Sequence, residues 1–197
     1  MQALYFKTSP PSSPPKLEGL YNPLNRGVEE SLLPVLRQHD CSFVAYNPLA
    51  AGLLTGKHRS PDEVIAGRFK DNPNYLPRFY TAQCFAAVEK IRKSCEEAEI
   101  SMVDATYRWL LLHSELGPYD GVLIGASNLE QLDQNLSACC FENDEASKLP
   151  FAVVESMNSA WEITREGAFA YFRSYSSDMP DRESRPKGAG YVAHGPK

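Results

Sequence analysis

Three short strand-like runs, Lys16–Tyr21, Cys41–Tyr46 and Gly121–Ile124, are separated by long stretches of helical spacing. That alternation limits the fold more than any other feature, because strands that return through helices lie parallel. Parallel sheets want both faces covered and no bare edge. A closed β/α barrel needs eight strands and typically ~250 residues. This chain has 197 residues and strand signals for only three. The pattern therefore predicts an α/β piece of a barrel.

The helices can be placed by periodicity. Val28, Leu32, Val35 and Leu36 share a helix face, with Glu29 and Glu30 in the first turn and Pro34 expected to kink it or delay its start. Cys84, Val88, Ile91 and Cys95 mark a second face. Ser101 and Asp104 have capping-box spacing before Val103, Tyr107, Leu110 and Leu111. Ser127 and Glu130 have it again, with Leu129, Leu132 and Leu136 expected inward. Pro150 opens a last helix carrying Val153, Met157, Ala160 and Trp161. Residues 58–80 read as a long polar loop containing Pro61, Pro73 and Pro77. Residues 1–16, which include Thr-Ser-Pro-Pro-Ser-Ser-Pro-Pro, read as a disordered leader, and residues 174–197 as a disordered tail.

Composition narrows the function classes. Hydrophobic residues make up 43% and charged residues 23%, as in a globular protein. The net charge of −5 leaves no basic excess to neutralise a nucleic-acid backbone. Five cysteines without a Cys-x-x-Cys or zinc spacing predict free thiols, a reducing compartment and no metal. The N-terminal apolar run is too short for a signal peptide, and no stretch approaches the ~20 apolar residues of a membrane span. A cytoplasmic protein is expected, with no membrane partner.

The ends of the second and third strands carry the chemistry. Asn47, Pro48, Leu49, Ala50, Ala51, Gly52, Leu53, Leu54, Thr55, Gly56 and Lys57 follow the second strand. The stretch from Gly125 to Asn135 follows the third and opens a helix. Such junctions present backbone N–H groups to anions. Gly52 and Gly56 permit close backbone approach, and Lys57 adds a positive charge. On motif strength alone, an ordinary βα loop and a well-capped helix would account for both.

These segments, with Tyr21-Asn22-Pro23-Leu24-Asn25-Arg26, Gly67-Arg68-Phe69, Arg108-Trp109-Leu110 and Tyr171-Phe172-Arg173, resemble the C-terminal half of the aldo-keto reductases. The branch resembled is that of the aflatoxin-aldehyde (succinic semialdehyde) reductases, and the likeness runs from about Leu17 to Arg173. The resemblance implies a partial (β/α)8 TIM barrel, made of the last three βα units plus a C-terminal helix. It implies an NADPH-dependent oxidoreductase reducing aldehydes or ketones to alcohols. Asn47 to Lys57 would wrap the cofactor pyrophosphate, and Arg68, Ser127, Gln131, Gln134 and Asn135 would hold the adenosine end with its 2′-phosphate. Tyr75, Arg78 and Arg173 would line the substrate pocket. Glu18 stands where the family carries a glutamine under the nicotinamide, and a carboxylate lacks that amide's donor.

The family's catalytic aspartate, tyrosine, lysine and histidine lie on the first half of its barrel, and none of their motifs occurs here. His39, His58, His113 and His194 match none of them, so no catalytic residue is assigned. The expectation is a truncated reductase that is inactive alone. Its rival is a non-enzymatic nucleotide-binding remnant, or an interaction module that forms a homo-oligomer or pairs with an intact homologue.

Overall fold

Lys16–Leu20 (β1), Ser42–Tyr46 (β2) and Gly121–Val122 (β3) form one sheet in the order β1-β2-β3. Both pairings are parallel, with Lys16 opposite Ser42, Leu20 opposite Tyr46 and Val44 opposite Gly121. Leu123 N extends the second ladder by donating to Ala45 O at 2.8 Å. The computed structural model describes residues 15–61, 69, 76–141 and 145–171. Pro15 and Lys16, assigned to the leader by composition, already belong to the sheet: Pro15 O accepts from Ser42 N at 2.9 Å. The rest of the leader and the whole tail lie outside the described residues.

β1 and β2 approach closely because position 19 carries no side chain. A Cβ on Gly19 would stand 2.6 Å from Phe43 Cε2, and Phe43 is fully buried. β3 is tied to β2 by one carboxylate. Asp120, its side chain only 1% exposed, accepts from Phe43 N at 2.7 Å and Gly117 N at 2.7 Å, and both its oxygens accept from Arg37.

Between β1 and β2 the chain forms Val28–Ser31 (α1) and Leu33–Gln38 (α2). The break falls at Leu32 and Pro34 sits in the first turn of α2, where a missing N–H costs nothing. Between β2 and β3 come Leu76–Phe79 (α3), Ala82–Glu97 (α4) and Met102–Arg108 (α5). α5 runs on as a π-helical turn, Trp109–His113. After β3 follow Leu129–Cys139 (α6) and Phe151–Thr164 (α7). The loop expected over 58–80 thus contains one short helix, and most of the remainder lies outside the described residues.

Thr81 and Ser101 cap α4 and α5, accepting from Cys84 N at 3.2 Å and Asp104 N at 3.0 Å. The Asp104 carboxylate accepts from Arg108 at 3.1 Å. α4 buries Cys84, Val88, Ile91 and Cys95 against α7, which buries Val153, Met157 and Ala160. Full burial of side chains such as Ile91, Val153 and Met157 stabilises by roughly 1.5–3 kcal/mol each. Burial pushes the Cys95 thiol up to about 11, with Asp104 and Glu96 adding to it, so this cysteine is a packing residue. Cys140, by contrast, is exposed.

A polar network crosses the core beside α1. Fully buried Tyr21 donates its hydroxyl to Glu29 and accepts from Glu115 N at 3.1 Å. Arg26 forks onto both Glu29 oxygens at 2.8 and 2.9 Å and reaches Asn158 on α7 at 2.8 Å. Its guanidinium lies 5.0 Å from the centroid of the buried Trp109 ring. Burial, reinforced by Glu29, raises the Tyr21 phenol above its ordinary value and keeps it a donor.

His113 ends the π turn, and its Nε2 accepts from Leu149 N at 2.9 Å, so the neutral ring carries its proton on Nδ1. Burial, then the nearby Lys148, hold its pKa below the ordinary 6.5. Because the folded value lies below the unfolded one, this stabilisation is complete above 6.5 and is lost as pH falls through the folded value. Urea midpoints should therefore fall below about pH 6.5, the hydrogen bond being worth about 1 kcal/mol. His113→Gln, which can accept at every pH, should flatten that fall. An unchanged pH profile in the variant would remove His113 as the cause.

Candidate functional site

Because β2 and β3 are parallel neighbours, the loops that follow them leave the same end of the sheet. Leu49 from the first loop and Ile124, the residue just before the second, pack on one buried cluster of Val103, Tyr107 and Ala138. The two segments singled out from the sequence are thus brought side by side.

The first loop is built from left-handed residues. Asn47, Ala50, Ala51 and Gly52 have φ of 60°, 48°, 59° and 107°. Fully buried Asn22 fixes the start, its Nδ2 donating to Asn47 O at 3.0 Å while its Oδ1 accepts from Leu24 N at 2.9 Å. Asn47 in turn accepts from Ala50 N on its carbonyl and from Ala51 N on its Oδ1, at 3.0 and 3.3 Å. Leu49 O takes Gly52 N at 2.8 Å and Leu54 N at 3.2 Å, Leu53 O takes Gly56 N, and Thr55 donates its hydroxyl to Gly52 O at 2.7 Å.

This corrects one expectation. The loop was expected to offer a row of N–H groups to an anion, but those of Ala50, Ala51, Gly52, Leu54 and Gly56 bind acceptors within the loop. Pro48, Ala50, Leu53 and Leu54 are buried, so their side chains belong to the core. What remains outward is Lys57, exposed and without an ion-pair partner among the described residues, and Gly52, where a Cβ would meet no described atom within 4 Å beyond its own chain neighbours.

The second loop departs from expectation by one residue. Asn128, not Ser127, caps α6, accepting from Gln131 N at 2.8 Å. Gln131 reaches back so that its Oε1 accepts from Ser127 N at 3.0 Å, a reciprocal cap that leaves Ser127 exposed outside the helix. Gln131, Gln134 and Asn135 do not all face outward with Ser127. Gln134 is exposed, but Asn135 is 3% exposed and donates to Gly125 O at 3.1 Å, closing the loop on itself. The leucines are also displaced from their expected place: Leu129 is 78% and Leu136 44% exposed. α6 turns Asn135 and the small Ala138 inward, where Ala138 meets Val103 and Tyr107.

Arg78, on α3, is half-buried with its guanidinium 5.1 Å from the Phe169 ring centroid. It borders a cavity of about 40 Å³ shared with Leu24, Thr81, Cys84 and Phe169. Arg68, Tyr75 and Arg173, also assigned from the sequence, lie outside the described residues, as does His194. Among the described residues no cluster of His, Cys, Asp or Glu could hold a metal, and no helix is long and apolar enough to cross a membrane.

Sequence reasoning missed Asn22 and Asp120 as positioning residues. Asn22 had a signal: Tyr-Asn-Pro-Leu occurs at Tyr21–Leu24 and again at Tyr46–Leu49, after β1 and after β2. Asp120 sits in Gly117-Pro118-Tyr119-Asp120, a turn sequence whose carboxylate caps its own first residue.

A model of the aldo/keto reductase family matches residues 2–150. Aflatoxin B1 aldehyde reductase member 2 of Rattus norvegicus is 40% identical over 172 residues, covering 81% of this chain and 46% of the relative. Aldo-keto reductase family 7 member A3 of Homo sapiens is 38% identical over 172 residues, covering 81% and 50%. The chain therefore spans about half the length of these relatives. A solved glycerol dehydrogenase from Gluconobacter oxydans aligns with a TM-score of 0.54 at 21% identity, over 77% of this chain and 42% of that one, which supports an α/β fold of the TIM-barrel type. On these residues and this match, the chain belongs to the aldo/keto reductase family.

Proposed function

We propose that this chain is the nucleotide-binding half of an NADPH-dependent aldehyde or ketone reductase, built from the last three βα units of a β/α barrel and a C-terminal helix. The observation that carries the reading is the placement of two loops side by side at the carboxyl ends of adjacent parallel strands, the first ending in exposed Lys57. Lys57 and the open ground above Gly52 and Gly125 fit an anionic ligand. The internally bonded N–H groups of the first loop do not, so the site acts through side-chain cations more than through a backbone cradle. The cofactor, when bound, would supply the hydride. The proton donor would come from outside these residues, and the chain alone would be inactive.

The 2′-phosphate end is assigned to Arg68 and the start of α6, with Ser127 and Gln134 outermost. NADPH should therefore bind more tightly than NADH. One charge-assisted contact is worth about 1.5–3 kcal/mol, or roughly ten- to a hundredfold in affinity. Calorimetric titration with both cofactors should show that preference, and Arg68→Ala should abolish it. Equal affinities in the unmodified chain would sink the assignment.

A second reading, a module that pairs with an intact homologue, draws on a different observation. β1 and β3 each have a single neighbour among the described strands, and Leu123 after β3 and Leu129 and Leu136 on α6 are exposed at 44%, 78% and 44%.

A further inference from the structure

His58 directly follows Lys57 and enters none of the roles above. Its ring packs edge-on against two aromatics that also touch each other: Phe69 at 5.1 Å and 88°, and Tyr80 at 5.6 Å and 83°. His58 Nδ1 and the Tyr80 hydroxyl share a hydrogen bond of 3.1 Å. Phe69 is fully buried and packs tilted on Tyr80 at 4.9 Å, and Tyr80 packs on Phe85 of α4 at 4.8 Å. The wedge therefore joins the end of the first loop to the body of the protein through α4. It anchors the chain just after Lys57, which is itself exposed.

We propose that His58 is the positioning residue of the anion site: it anchors the backbone that presents Lys57, and it takes up a proton when a phosphate-bearing ligand settles on Lys57. The inference rests on the nucleotide reading and adds to it a residue and a response to pH. The charged groups around the ring favour the response. On its own segment stand Lys57 and Arg59; Arg59 acts on Glu89 of α4, which is already paired with Arg92 and approached by Lys93. Tyr80 offers a neutral hydroxyl. Among the described residues no carboxylate acts on the ring, so the ligand's own charge is what would favour an imidazolium. Burial, then the Lys57 ammonium, hold the His58 pKa below its ordinary value in the free chain. An anion on Lys57 cancels the second cause, so the pKa rises on binding. Binding must then tighten as pH falls through the interval between the two values.

The test is calorimetric titration of the full chain with NADPH and with inorganic pyrophosphate at pH 6 and pH 8. Buffers of different ionisation enthalpy would count the protons exchanged. Both ligands titrate near pH 6 themselves, so the informative quantity is the difference between the unmodified chain and His58→Phe. The phenylalanine keeps the ring wedge and loses the proton site. It should bind about as well at pH 8, lack the extra proton uptake at pH 6, and lose a few-fold of the pH 6 advantage. His58→Asn removes the wedge and should weaken binding about three- to tenfold at both pH values, because Lys57 must then be ordered by the ligand. Identical proton counts in His58→Phe and the unmodified chain would overturn the proposal, as would full affinity in His58→Asn. A chain that binds neither ligand would overturn the nucleotide reading and this proposal with it. Binding that ignores both substitutions would overturn this proposal alone.

Discussion

Asp120→Ala should destabilise the folded chain by about 3 kcal/mol, as a lower urea midpoint with an unchanged slope. The carboxylate accepts four hydrogen bonds while almost wholly shielded from water, two from backbone N–H groups and two from Arg37. Arg37 is 41% exposed and can return to solvent, so little of the cost arises there. The backbone donors of Phe43 and Gly117 have no such route. Phe43 lies in the buried first half of β2 and Gly117 begins the turn into β3, so their loss loosens the junction between the two strands. Asp120→Asn keeps the shape and one acceptor and should fall between. A cost below about 1 kcal/mol for the alanine variant would show that water replaces the carboxylate, contrary to its burial.

Arg26→Ala should cost about as much, for a different reason. Arg26 and Glu29 are 16% and 15% exposed, and removing Arg26 leaves the Glu29 carboxylate largely shielded from water, with the Tyr21 hydroxyl as its remaining partner among the described residues. The substitution also uncovers the Trp109 ring and frees Asn158 on α7. The double variant Arg26→Ala, Glu29→Ala should be less destabilised than the sum of the single ones, because the stranded carboxylate is gone. Additive costs in urea melts of all four proteins would mean that the pair is not coupled.

Legibility from sequence followed the range of the interactions. The faces of α4 and α7, the caps at Ser101 and Pro150 and the break before Pro34 depend on neighbours within a few residues, and periodicity reveals such neighbours; the parallel order is long-range but follows from the alternation of strand and helix. α6 was misread because its orientation depends on distant partners. A leucine stripe looks like a core face, yet Ala138 fits against Tyr107 and Asn135 is drawn in by Gly125 O. The cap shifted for a related reason: Ser127 and Asn128 are both good caps, and the one whose backbone bonds Leu132 N decides. Within the first loop, the sequence gives glycines and an asparagine, but not that Ala50 and Ala51 would also turn left-handed. The anchoring by Asn22, twenty-five residues away, fixes where that path begins, and the bonds within the loop hold the rest.

The self-bonded path of the first loop bears on how such a chain could change over generations. Its hydrogen bonds run among Asn22, Asn47, Leu49, Leu53 and Gly52, so purifying pressure for folding alone is enough to retain those residues, whether or not a cofactor is ever bound. Lys57 is different, since its ammonium contributes to no ion pair among the described residues. If binding ceased to matter, drift would erase the lysine first and leave the loop's shape behind as a fossil of the site.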